Sequence, residues 1–325
     1  MTEMTLVKAV NNALDLAMQK DNRIIIIGED VGRDGGVFRA TEGLVDKYGE
    51  GRVIDSPIAE AGIVGAAIGM SFNGMLPIVE IQFSGFIYPA WQEIVSHVSR
   101  FRTRTRGRFT CPMVIRTPNG GGINALEHHS ESMEAMYAHI PGLITVTPST
   151  PKEAKGLLLA ALESPDPVLF LEPIKIYRAF KEEVPDEYYT IPLGKARIVQ
   201  EGTDLTIVSW GAMVHTVGEA VREAQRKGIS CEVIDLRTIY PWDREAVIAS
   251  VEKTGRCVIV HEATRTAGFA AEIIATINEK ALLSLKAPII RVTGYDIVFP
   301  LYRNEKRHLP TVDRVIDAIE KTARF

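Results

Sequence analysis

Glu60 stands at the head of an apolar run, Ala61 to Met70, that carries Gly62, Gly65 and Gly69. A carboxylate at a helix N-terminus is ordinarily a dipole-stabilised cap, worth ~0.3–1 kcal/mol. Each glycine inside the helix costs about 1 kcal/mol relative to alanine. That cost makes sense where another backbone approaches closely along the glycine face, from a second copy or a second subunit. Two more clusters offer polar groups that packing alone does not need. One is Gly28-Glu29-Asp30 with the glycine-rich Gly35-Gly36-Val37-Phe38-Arg39; the other is Glu80-Ile81-Gln82-Phe83 with Gly85-Phe86. Each follows an apolar run, and ligands in parallel sheets bind beyond the carboxyl ends of strands.

A further loop, Asn119-Gly120-Gly121-Gly122, leads to Glu127-His128-His129-Ser130-Glu131-Ser132. Adjacent histidines with flanking carboxylates suggest a metal site, but HExxH or CxxC spacing is missing. A polar surface loop is the plain alternative. The sharper one is a proton donor on a glycine-hinged loop, because histidine titrates near neutral pH. His261-Glu262 ends another apolar run, whereas His97, His139 and His215 read as structural. Arg100, Arg102, Arg104, Arg106 and Arg108 form a short basic stretch in an otherwise slightly acidic chain of net charge -4, which points to a solvated or subunit-facing segment rather than nucleic acid.

The elements that must position these groups alternate between strand and helix along the whole chain. Ile24 to Ile27, Leu76 to Phe83, Met113 to Arg116, Leu143 to Val146 and Val168 to Leu171 read as strands buried on both faces. Thr150-Pro151-Lys152-Glu153 combines a capping box with proline at the first helical position and opens a helix reaching Leu162. An acidic, tyrosine-rich stretch then reads as a linker. Beyond it, strands are expected at Leu205 to Ser209, Cys231 to Leu236, Cys257 to Val260 and Ile289 to Val292, with helices from about Met213, Asp243 and Ala267. Apolar residues recur at helical spacing from Val312 onward, giving a last amphipathic helix. The expected fold is α/β, two tandem parallel-sheet sandwiches: residues 1–181, a linker at 182–194, and 195–325.

At 325 residues the length itself fits two domains of roughly 150 each. Three widely spaced cysteines, Cys111, Cys231 and Cys257, give neither a disulfide framework nor a zinc site and fit a reducing cytoplasm. No targeting segment is read at Met1 to Lys8. Ala61 to Val79 is nearly long enough to cross a membrane, but Asn73, Gly74 and Pro77 make helix, turn and strand the better reading.

The stretches GEDVGRDGGVFRATEGL (Gly28 to Leu44), DSPIAEAGIVGAAIGM (Asp55 to Met70), EIQFSGF (Glu80 to Phe86) and HHSES (His128 to Ser132) resemble the β subunit of 2-oxo acid dehydrogenases. So do PGLITVTPSTPKEAKGLL (Pro141 to Leu158) and CEVIDLRTIYPWD (Cys231 to Asp243). The last of these, with GYDIVFP (Gly294 to Pro300), is more similar to branched-chain members than to pyruvate members. Pyruvate or acetoin dehydrogenase β subunits, or a non-catalytic assembly subunit, are the alternatives.

The resemblance implies a pyrimidine-binding domain and a transketolase C-terminal-like domain, in an α2β2 heterotetramer that decarboxylates a small 2-oxo acid. Glu60 would face N1′ of the aminopyrimidine of thiamine diphosphate, favouring the imino tautomer that removes the C2 proton. Ile58 and Gln82 would line the pyrimidine pocket and Phe86 would stack on the ring. His129 would assist acyl transfer to a lipoyl group of the dihydrolipoyl acyltransferase core, which relatives bind through their C-terminal domains. The GDG…N signature that holds Mg²⁺ and the diphosphate occurs nowhere in the chain, which assigns that half of the site to an α subunit. Some relatives bind K⁺ near the positions of Met113, Ala161, Ser164 and Asp166, Ser164 standing where aspartate is common.

Overall fold

Consecutive apolar, mostly β-branched residues buried on both faces build the centres of two sheets. The computed structural model describes residues 1–325. Its first strands are β1 (Thr2–Met4), β2 (Ile24–Gly28), β3 (Val53–Asp55), β4 (Leu76–Glu80), β5 (Val114–Asn119), β6 (Ile144–Val146), β7 (Val168–Pro173) and β8 (Glu182–Val184). There follow β9 (Arg197–Gln200), β10 (Leu205–Ser209), β11 (Cys231–Asp235), β12 (Thr238–Tyr240), β13 (Cys257–Val260) and β14 (Ile290–Val292). The first sheet has the order β12-β6-β7-β5-β4-β2-β3 and the second β14-β13-β10-β11-β9. Within these two sheets all pairings are parallel except those of the edge strands β12, on β6, and β9, on β11.

Side-chain alternation along the strands decides which helix covers which face. Ile26 and Ile78 point into the cluster formed with helices Leu6–Lys20 and Pro151–Leu162. Ile27 and Val79 point to the other face, against Ile63, Val64 and Ala67 of helix Glu60–Phe72. In the second sheet, Ile207 and Val233 meet helices Met213–Arg226 and Val312–Ala323, while Val208 and Ile234 meet Arg244–Thr254 and Ala270–Ala281. One apolar cluster runs without a break from Leu6 to Ile319, so the two sandwiches share part of their core. Helix, turn and strand follow one another from Glu60 to Glu80, and no helix is long and apolar enough to cross a membrane.

Several boundaries depart from expectation for physical reasons. The Thr150 hydroxyl accepts from the Glu153 N–H at 3.2 Å, but the Glu153 carboxylate returns to Ser149, accepting from its N–H at 3.1 Å and its hydroxyl at 2.9 Å, instead of closing on Thr150. The helix expected from Ala267 starts at Ala270, since Ala267 adopts φ +56°. The stretch expected as a linker is strapped down: β8 pairs antiparallel with β1, and the Ile191 N–H bonds the Gly156 carbonyl at 3.0 Å. Lys155, fully buried, donates to the Pro185 and Asp186 carbonyls. Thr238–Tyr240, from beyond the expected boundary, closes one edge of the first sheet.

The carboxyl ends of β4, β5 and β7 are tied by one buried charge. The Arg116 guanidinium donates to both oxygens of Glu172 at 2.8 Å and also to Glu80, while Tyr177 donates its hydroxyl to Glu172. Arg116 and Glu172 are at most 1% exposed, and burial pushes the Glu80 carboxyl up against the pull of Arg116. Removing one partner of such a group strands the others without water. Arg116→Met should therefore lower stability by ~3–5 kcal/mol in denaturant titration. An unchanged midpoint would mean the cluster is energetically neutral.

Candidate active site

The site begins where β2, β3 and β4 end. At the end of β3, the Asp55 carboxylate accepts from the Gly32 N–H at 2.6 Å and the Arg33 N–H at 3.2 Å, which curls the glycine-rich loop back over the strand ends. That loop sets Asp30 at φ +57°, where it accepts from Gln82 Nε2 at 3.0 Å. Gln82, two residues past β4, thereby has a fixed amide.

Glu60 is the first residue of its helix, half-buried, and Ala59 supplies no side-chain cap. The positive end of the helix dipole favours a negative charge there. Facing it is Glu29, 6% exposed, with Oε1 lacking any partner. Burial pushes the Glu29 carboxyl up, the Glu60 charge adds to this, and the Ala59 N–H opposes it. Two carboxyls with one backbone donor between them form a site able to hold or pass a proton. Ile58, two residues before Glu60, is 84% exposed, a large apolar side chain with no cover from its own chain.

The opposite wall is aromatic. Phe86, half-buried, lies edge-on to Phe83 at 5.4 Å and 5.1 Å from the His129 ring. Phe83 itself sits 4.4 Å from His129. His129 is half-buried and its Nδ1 has no partner within the chain. Gly85 makes this approach feasible, since a Cβ there would come within 2.2 Å of the His128 carbonyl oxygen. Phe83, Phe86 and His129 thus pack together just past Gln82 at the end of β4, while Glu60 and Ile58 follow the end of β3, with β2 and its Glu29 between the two strands. Glu29 and Phe83 belong to the same surroundings; their signal was the polar and aromatic text at the two strand ends, but nothing in it distinguished a buried carboxyl from a solvated one.

One expectation changes, and one group of residues lies apart from the site. The glycines before His129 do not form a free hinge: Gly120, Gly121 and Gly122 are wedged against Glu262, Phe299 and Lys175. The group proposed for K⁺ lies at the other end of the sheet, where Met113, Ala161 and Ser164 surround a small recess. There the Ser164 hydroxyl is engaged with the Asp166 backbone, donating to its carbonyl at 2.8 Å, and the Asp166 carboxylate is paired with Arg102 at 2.6 Å. Met113 and Ala161 carry no side-chain oxygen, so a K⁺ ion at these positions would draw on main-chain carbonyls rather than on the engaged Ser164 and Asp166 side chains. The pyrimidine half of thiamine diphosphate does fit the residues at the other end, given an uncapped Glu60, an orphaned His129 nitrogen and a half-buried Phe86.

The outer face of helix Glu60–Phe72 is bare. A Cβ added at Gly65 or Gly69 meets nothing within 4 Å, and at Gly62 only Ala59 at 3.5 Å. The close approach that these glycines permit is therefore not used within this chain.

The Glu29 carboxyl gives a pH-dependent readout. Its folded-state value lies above the ordinary 4.5. Between the two values the folded chain binds more protons than the unfolded one, so its contribution to stability falls as pH rises through that window. Glu29→Gln removes this penalty. Its advantage over the unaltered chain in denaturant midpoint should be absent below pH 4.5 and grow above it; a pH-independent difference would show that Glu29 is not held protonated by its surroundings.

Comparison with known proteins agrees with the fold. The transketolase pyrimidine binding domain matches residues 2–179, and the transketolase C-terminal domain matches residues 194–315. The pyruvate dehydrogenase E1 component subunit beta of Acholeplasma laidlawii is 55% identical over 100% of this chain and 99% of its own length. That of Bacillus subtilis (strain 168) is 49% identical over the full length of both. The mitochondrial 2-oxoisovalerate dehydrogenase subunit beta of Dictyostelium discoideum is 53% identical over 98% of this chain and 86% of its own. A split-gene transketolase, described as an inactive beta4 tetramer, shares the fold with a TM-score of 0.82 at 20% identity, covering 99% of each chain. Similarity therefore does not single out the branched-chain members, against the expectation from Cys231 to Asp243 and Gly294 to Pro300. The chain belongs to the family of 2-oxo acid dehydrogenase E1 β subunits, built from transketolase-type pyrimidine-binding and C-terminal domains.

Proposed function

We propose that this chain is the β subunit of a thiamine-diphosphate-dependent dehydrogenase whose 2-oxo acid is pyruvate. Two relatives named for pyruvate, at 55% and 49% identity over the whole chain, support the substrate. The observation that carries the chemistry is the uncapped, half-buried Glu60 facing the raised Glu29 carboxyl. When bound, the cofactor supplies the nucleophilic carbon that adds to the 2-oxo carbonyl and the electron sink for loss of CO₂. Glu60 holds a proton at N1′ of the pyrimidine. Gln82, with its amide fixed by Asp30, and Ile58 line the pyrimidine pocket. Phe86, backed by Phe83, provides the flat apolar wall, and His129 holds or delivers a proton during acyl transfer to a lipoyl group.

The other half of the site belongs to an α subunit in this reading. The GDG…N signature, which would hold Mg²⁺ and the diphosphate, does not occur in the chain, and this supports that reading. The bare glycine face and exposed Ile58 suit an α2β2 contact, and the second domain suits docking on a dihydrolipoyl acyltransferase core. A branched-chain 2-oxo acid is the second reading, favoured by the 53% identical 2-oxoisovalerate relative.

Co-expression with an E1 α subunit and a panel of 2-oxo acids tests the substrate: kcat/KM should be highest for pyruvate, and a preference for 2-oxoisovalerate would select the second reading. Glu60→Gln in that assembly should lower decarboxylation on the order of 10²-fold while leaving the fold intact. Near-normal turnover removes Glu60 from the mechanism. Calorimetric titration of the lone chain with thiamine diphosphate and Mg²⁺ should show no tight binding; one-to-one tight binding would contradict the divided site.

A further inference from the structure

His261-Glu262, at the end of β13, lies in the second domain, and the reaction outlined above gives it no role. His261 is buried and stacked on Trp210, with ring centroids 5.2 Å apart. This directs the next residue, Glu262, across the domain boundary. Glu262 Oε1 accepts from the Ser132 hydroxyl at 3.0 Å, and it occupies the space a Cβ on Gly120 would need, 1.7 Å from that position. Gly120 stands at φ +85°, and its N–H donates to the Glu131 carbonyl at 2.8 Å. The same carbonyl accepts from the Ser84 hydroxyl at 2.9 Å, and Gly85 lies beneath the His128 carbonyl.

The segment His128–Ser132 is therefore seated mainly by its own domain: Phe83 and Phe86 pack on the His129 ring, Gly85 lies under the His128 carbonyl, and Ser84 and Gly120 bond the Glu131 carbonyl. At Ser132 the hydroxyl is held instead by Glu262, from the second domain. We propose that Glu262 is a positioning residue: reaching from the second domain, it sets the seat of the segment that carries His129, so that acyl transfer depends on how the two domains are docked. The inference rests on the reading of His129 as the group serving acyl transfer. Misplacing a reacting group by about 1 Å can cost 10²-fold, and Ser132 lies only three residues from His129.

The test uses the heterotetramer reconstituted with its α subunit, with two readouts: acylation of a lipoyl acceptor, and decarboxylation measured with an artificial electron acceptor. Glu262→Ala should lower the ratio of the first to the second on the order of 10-fold, and Glu262→Gln, whose amide oxygen can still accept from Ser132, should restore it. Ser132→Ala, which removes the same bond from the other side, should reproduce the loss even if Glu262→Ala folds poorly. Amide hydrogen exchange of residues 126–132, measured on the β chain alone, should quicken in Glu262→Ala and Ser132→Ala but not in Glu262→Gln. Unchanged ratios and unchanged exchange in both the Glu262→Ala and Ser132→Ala proteins would overturn the proposal. A wild-type ratio in His129→Ala would instead remove the reading beneath it, leaving the exchange data to decide the positioning by themselves.

Discussion

Arg116 is the constraint on which the site depends. Three parallel strands end side by side, and two of them contribute carboxylates that water cannot reach. Side by side in a low-dielectric interior, those charges repel unless a shared cation lies between them. The guanidinium fork fits this role because its donors are planar and can bind one carboxylate in parallel while reaching the other. The result is a fixed platform two residues before Gln82. Its influence extends further through a line of rings. Tyr177, bonded to Glu172, lies 5.3 Å from Phe38, which lies 5.3 Å from Phe83, which in turn contacts His129. Glu80 also borders the glycine loop, where its carboxylate lies beside Gly36. A single ion cluster thus underlies both the polar and the aromatic wall.

The site itself follows the opposite principle, with groups left unsatisfied. Glu29 Oε1, His129 Nδ1 and the carboxylate at an uncapped helix start would be liabilities in an ordinary core. Placed beside an exposed isoleucine and a bare glycine face, they mark a surface incomplete without another molecule. Rigid charge behind and unspent hydrogen-bonding capacity in front is the arrangement a preorganised site requires.

Much of this was legible in the sequence where local physics decides. Leu205–Ser209 and Cys257–Val260 were placed to the residue because runs of buried, β-branched side chains admit few alternatives. Glu60 was conspicuous because its helix carries three glycines that propensity disfavours. Long-range pairings were not legible. The contact of Ser132 with Glu262 joins residues 130 positions apart, and the pairing of β1 with β8 joins the two ends of a domain through strands of three residues each. Too short to show alternation, β8 read as part of a charged linker. The burial of Glu29 was equally hidden, since an acidic residue next to Asp30 looks solvated until the Ala59 backbone closes over it.

The crossing of Thr238–Tyr240 into the first sheet has a consequence for how the molecule can be dissected. Residues 1–181 look like an independent unit, yet cutting there removes both β12 and β8. The β6 strand would lose its outer neighbour and β1 its only one. An uncovered strand edge offers its backbone donors and acceptors to any other chain. The halves are thus woven together at two seams, and a fragment made by cutting between them would carry ready templates for aggregation rather than a finished fold.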